Sequence, residues 1–125
     1  MTPLIFLALA LAGGVGASAR YLVDGLIRSR LKTAYPWATT IINVSGSLVL
    51  GFITGLTTAH LLSSDASAII GTGFLGGYTT FSTASYETVQ LIKQNRYGFA
   101  IASGIGMLLA CVAVAGLGLW LGSQV

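Results

Sequence analysis

Apolar positions gather into four long runs along the chain and do not alternate with polar ones. A helix of about 20 apolar residues crosses about 30 Å of hydrocarbon at about 1.5 Å per residue. The runs therefore predict membrane-spanning helices at about 3–23, 37–59, 66–93 and 98–121, a single four-helix transmembrane domain over residues 1–125. The fold class expected is an all-α membrane protein. The third run departs from the others: Gly71 to Glu87 reads GTGFLGGYTTFSTASYE. Its centre holds Gly76 and Gly77, then the hydroxyls of Thr79, Thr80, Ser82, Thr83 and Ser85 around Phe81. Glycine weakens helix interiors, and hydroxyls compete for backbone bonds. With about 16 Å of helix from Ala66 to Gly76 and about 20 Å from Phe81 to Lys93, the break falls near the bilayer midplane. Broken backbone at that depth is tolerated where it is buried in protein or lines a cavity. The run is read first as an ion site.

Other polar positions add detail. Thr39, Thr40, Asn43, Ser47 and Thr54 are spaced by three, four and seven residues, so most share one helix face. An amide in mid-bilayer is costly unless bonded, so Asn43 is either a helix-to-helix bond or a donor facing a pore. Gly13 with Ala17, Gly51 with Gly55, and Gly118 with Gly122 are four-residue pairs that let another helix approach closely. Arg20 and Tyr21 are placed near the interface, Arg20 either reaching headgroups or holding a fixed partner at an anion vestibule. A connector is expected over 24–36, with a short amphipathic turn, before Trp37 anchors the second span. His60 is expected to be solvated, and Ser64 or Asp65 to cap the next helix. Glu87 is read as a carboxylate at the inner mouth, hydrogen-bonded or paired with Lys93 or Arg96; a proton-coupling role would need deeper burial.

Composition and charge narrow the function classes. Of 125 residues 54% are hydrophobic and 7% charged, against about 25% charged in soluble domains. The mean hydropathy of +0.86 agrees. The pI near 9.4 rests on few charges and is no nucleic-acid signal. Cys111 stands alone, which excludes a disulfide or a paired-cysteine metal site within one chain. The first run lacks a basic leader and is expected to be a retained span, not a cleaved signal. Arg20, Arg28, Arg30 and Lys32 flank the first connector and Lys93 and Arg96 the third, so all six basic residues fall on one side. By the positive-inside rule both termini face outward. No nucleophile, base and orienter converge, so an enzyme is not expected.

The motifs GGVGASARY from Gly13, Asn43 followed by Gly46, and GFLGGYTTFST from Gly73 resemble the Fluc (CrcB-type) fluoride channel family over the whole length. The resemblance implies a passive fluoride channel of the bacterial plasma membrane that exports cytoplasmic fluoride and protects against its toxicity. It further implies an antiparallel dual-topology dimer in membrane lipid, with two pores beside a structural sodium. By motif position the carbonyls of Gly76 and Thr79 hold that Na+, while Asn43, Phe81, Ser82 and Thr83 line the fluoride path. Freed carbonyls are hard oxygen ligands, and fluoride needs donors to replace its water: hydroxyls, amides and positive aromatic edges.

Three features depart from that family's pattern. Ala84 stands where a second pore phenylalanine is expected. The helical track of hydroxyls in the fourth span reads Ser103, Met107, Cys111 and Ala115. The charge bias is strong, although a chain that inserts both ways needs a weak one. All three favour a heterodimer with an oppositely oriented homologue over a divergent homodimer. The competing class is a small dual-topology proton-coupled multidrug or cation exporter. That class needs a carboxylate in its first span, and Pro3 to Val23 has none. A structural assembly factor would account for the small-residue pairs but not for the hydroxyl cluster.

Overall fold

A computed structural model of the chain describes residues 2–125. Its elements are α1 (Pro3–Arg30), α2 (Trp37–Thr58), α3 (64–78), α4 (Ser82–Lys93) and α5 (Tyr97–Gln124). The described residues contain no strand. In α3 the turns of Ala68–Leu75 are widened to π-helix between Ser64–Ser67 and Gly76–Tyr78; in α5 the same widening covers Ala102–Gly106. α1, α2 and α5 are each long and apolar enough to cross a membrane. α3 and α4 are two shorter pieces separated at Thr79–Phe81, where Thr79 turns extended (φ −84°, ψ 158°). The protein is an all-α, multi-pass membrane protein.

Several boundaries differ from the sequence expectation. α1 does not stop near residue 23; it continues to Arg30, leaving a connector of 31–36. Asp24 and Arg28 are one turn apart and form an ion pair (2.8 Å) that supports this extension. The cap of α3 is Ser63, whose hydroxyl accepts from Ala66 N–H (3.1 Å), one residue earlier than expected. Thr2 caps α1 in the same way, with Pro3 in the first turn. The break also falls later than the glycine pair. Gly76 and Gly77 remain helical, because Gly77 is used for close approach: a Cβ there would collide with the Gly13 carbonyl.

Small residues decide which helices meet. Gly13, Gly16 and Ala17 of α1 lie against the backbone of α3 at Gly73, Phe74 and Gly77. Gly51 and Gly55 of α2 face Gly118 and Gly122 of α5, so that a Cβ on any of the four would strike the opposite backbone. Lipid tails are as apolar as the side chains, so such contact rests on van der Waals fit and not on the hydrophobic effect. Gly46 admits the Thr79 methyl and the Tyr78 ring, seating the end of α3 on α2. The outward faces stay apolar and exposed, with Leu4, Leu7 and Leu11 on α1 and Ile105, Leu109 and Val112 on α5.

Apart from Arg20, which lies within α1, the basic residues gather at one end of the bundle. There the end of α1, the start of α2 and α4 are tied through Arg28, Thr39 and Glu87. Tyr35 of the first connector packs edge-on against Phe99 of α5, with centroids 5.7 Å apart. The two glycine pairs of α2 and α5 run toward the opposite end, where the C-terminus lies.

Candidate functional site

The break organises the site, and Asn43 holds it. Asn43 is buried on α2. Its Nδ2 donates to the Thr80 carbonyl (2.8 Å) and its Oδ1 accepts from the Thr80 N–H (2.9 Å). A side-chain amide matches a peptide group in both directions only in this orientation, since the flipped one would set donor against donor. The second Nδ2 proton points to the Met107 sulfur (3.6 Å). Asn43 thus ties α2 to the break and to α5.

Hydroxyls close the rest of the break. Thr79 donates its hydroxyl to the Leu75 carbonyl (3.0 Å), which also takes the Thr79 N–H. The Thr80 hydroxyl accepts from Thr83 N–H (3.2 Å) and donates to the Thr83 hydroxyl (3.2 Å), so Thr80, one residue before the N-cap Phe81, ties down the first turn of α4. Ser82 adds a longer contact to Thr80 (3.4 Å). In an unbroken helix Thr80 N–H would serve the Gly76 carbonyl, and Thr83 N–H the Thr79 carbonyl. Both N–H groups go to side chains instead. Among the described residues no hydrogen bond reaches either carbonyl. Gly76 lies at the surface of the protomer, with nothing within 4 Å of where a Cβ would stand. Phe81 also stands out of the protomer, 81% exposed, so its ring has no packing role within this chain.

Residues 7–119 match the family described as CrcB-like protein, Camphor Resistance (CrcB). The chain belongs to the CrcB family. It is 56% identical over 122 residues to "Fluoride-specific ion channel FluC 1" of Leifsonia xyli subsp. xyli, covering 98% of this chain and 89% of that protein. It is 48% identical over 120 residues to "Fluoride-specific ion channel FluC 2" of Cutibacterium acnes, covering 92% and 94%. It is 41% identical over 114 residues to "Fluoride-specific ion channel FluC 1" of Ligilactobacillus salivarius, covering 90% and 95%.

In this CrcB chain a cavity of about 770 Å³ runs beside the break between α2, α3, α4 and α5. Asn43, Thr80 and Phe81 line it together with Ser103, Met107 and Cys111. The face read in the fourth span thus does meet the break, except that Ala115 packs against Gly51. Few donors point from that face into the cavity. Thr88 donates to the Ala84 carbonyl (2.8 Å), and Ser103, fully buried, sits 3.2 Å from the Thr88 hydroxyl.

Glu87 lies away from the break. Its carboxylate accepts from the Thr39 hydroxyl and from Arg28 Nη2 (3.0 Å). The partner is Arg28 of α1, not Lys93 or Arg96 as the sequence suggested, because the extension of α1 carries Arg28 alongside α4. Arg20 is half-buried within α1 and does not join this cluster. Sequence reasoning placed Thr80 in the ion-site run without a role for its side chain, and left Thr88 and Arg28 out of the candidate site. The role of the Thr80 hydroxyl is legible in its spacing to Thr83, and that of Arg28 in its helical spacing to Asp24.

Proposed function

We propose that the chain is a subunit of a passive fluoride-specific channel that lets cytoplasmic fluoride leave the cell. The observation that carries this reading is membership of the CrcB family over residues 7–119, with relatives named as fluoride-specific channels, around a break whose backbone is held open by side chains. Hydrogen fluoride enters cells as a neutral acid and dissociates; the trapped anion needs a conducting path out. Such a path must offer donors in place of water.

In this reading α3 and α4 together make one broken span, so that four spans form one domain. Both termini face outward, the basic end lies in the cytoplasm, and an antiparallel second subunit completes the site in the bacterial plasma membrane. The carbonyls of Gly76 and Thr79 suit a structural sodium: they are hard oxygen ligands that have lost their helical donors, and the surface position of Gly76 leaves room for a partner's ligands. Phe81, Ser82 and Thr83 border the fluoride path with Asn43, and Arg20 and Glu87 belong to vestibule or framework. The internally satisfied hydroxyls of Thr88 and Ser103, with Met107 and Cys111 beside them, favour a heterodimer in which the pore along this chain's α5 is degenerate.

Reconstitution in liposomes tests the reading. Fluoride efflux without chloride efflux, unaffected by a proton gradient, is expected when the chain is present with a homologue of opposite orientation. Flux driven by the proton gradient would point to an exporter. Robust fluoride efflux from this chain alone would remove the heterodimer.

A further inference from the structure

We propose that Asn43 and the Thr80 hydroxyl are positioning residues for the central cation site, which they create by taking the two N–H groups that would otherwise occupy its carbonyls. The inference rests on the reading of Gly76 and Thr79 as cation ligands and goes beyond it, because neither Asn43 nor the Thr80 side chain supplies a ligand atom.

The geometry is a pair of diversions. Asn43 Oδ1 takes Thr80 N–H at 2.9 Å, and the Gly76 carbonyl four residues back loses its donor. Thr80 Oγ1 takes Thr83 N–H at 3.2 Å, and the Thr79 carbonyl four residues back loses its donor. The two events are linked, since the clamp on the Thr80 peptide fixes the residue whose hydroxyl performs the second. A backbone carbonyl left unpaired in a membrane protein costs free energy. The Gly77 and Tyr78 carbonyls of the same helix end also receive no hydrogen bond, so the break presents a group of free carbonyls, of which the reading above takes those of Gly76 and Thr79 as the cation's ligands. Without Asn43 the Thr80 N–H would return to Gly76, and without the Thr80 hydroxyl the Thr83 N–H would return to Thr79. In either case the helix closes on its own carbonyls. Asn43 thus acts at two places, on the wall of the cavity through its position and on the cation through the backbone.

The test measures sodium binding itself. The full-length protein, with any homologous subunit that co-purifies, is prepared in detergent without sodium and titrated with radiosodium. Asn43→Leu and Thr80→Val are each expected to weaken binding by about 10- to 100-fold, the usual effect of removing an outer partner of a metal ligand. Thr80→Ser keeps the accepting hydroxyl and is expected to bind as the parent does. Should Asn43→Leu fail to fold, the contrast between Thr80→Val and Thr80→Ser decides alone. A folded Asn43→Leu or Thr80→Val protein with unchanged sodium affinity would overturn the proposal, including the case in which fluoride efflux is lost while sodium binding persists. Absence of sodium binding by the parent protein is a separate outcome: it removes the cation reading, and this inference with it.

Discussion

Among the described residues His60 and Asn95 are the two non-glycine residues with positive φ, at 61° and 60°. Each stands just past a helix end and donates to the carbonyl three residues back, while the next residue donates to the one five back: His60 to Thr57 and Leu61 to Leu56, Asn95 to Ile92 and Arg96 to Leu91. This is the Schellman arrangement, which favours glycine and next asparagine. Asn95 suits its place; His60 bears a left-handed penalty of about 1–2 kcal/mol. His60→Gly is therefore expected to raise the thermal unfolding midpoint in detergent, and Asn95→Val to lower it. Glu87 supports a second prediction. Its side chain is 15% exposed and that of Arg28 is 48% exposed, so solvent screens the pair only in part. A double-mutant cycle with Arg28→Ala and Glu87→Gln is expected to give a coupling of about 0.2–1 kcal/mol. A coupling of zero would mean that Thr39 alone positions the carboxylate.

At the scale of elements, the glycine contacts sort substitutions that look alike in sequence. Gly51→Ala would drive a methyl into the Ala115 carbonyl between α2 and α5, an overpacking worth about 1–3 kcal/mol of lost stability. Gly116→Ala, on the same helix pair but with nothing within 4 Å, is expected to be neutral or to stabilise by up to about 1 kcal/mol. Thermal unfolding of the two variants side by side checks this, and equal losses would contradict the packing described. The sequence already shows Gly51 with Gly55 and Gly118 with Gly122 as close-approach pairs. It does not show that they face each other, because a four-residue spacing marks a flat helix surface and says nothing of its mate. The break is legible for a similar reason and only to within a few residues. Glycine predicts where a helix is weak, yet Gly77 serves the contact with α1, and the chain opens at Thr79, where Asn43 can reach the Thr80 peptide. The widened turns in α3 and α5 leave no mark in periodicity, and the extension of α1 past residue 23 is hidden because its charged end reads as a connector.

The whole molecule satisfies many of its polar groups inward around the break and gathers most of its basic residues at one end of the bundle. The amide protons of Asn43 go to Thr80 and Met107 and the Thr88 hydroxyl to Ala84, while the cavity-lining hydroxyls of Ser47, Thr72 and Ser85 enter no hydrogen bond among the described residues and stay open as donors. Under the proposed function a second chain completes the site, and the charge distribution constrains how such a chain sits. Arg28, Arg30, Lys32, Lys93 and Arg96 lie on connectors or helix ends at one side of the bundle, and the opposite connector at His60–Ser63 carries no basic residue apart from His60. Turning the chain over would move this basic cluster across the membrane, against the bias that sets insertion. A single orientation is therefore expected. In a Cys111→Ala background, Ser123→Cys should react from outside intact cells with a thiol reagent that cannot cross the membrane. Gln94→Cys, at the turn between α4 and α5, should react only after permeabilisation. Labelling of both positions from outside would show that the chain inserts both ways. A homodimer of two opposed copies would then need no second homologue, and the degenerate wall would have to conduct by itself.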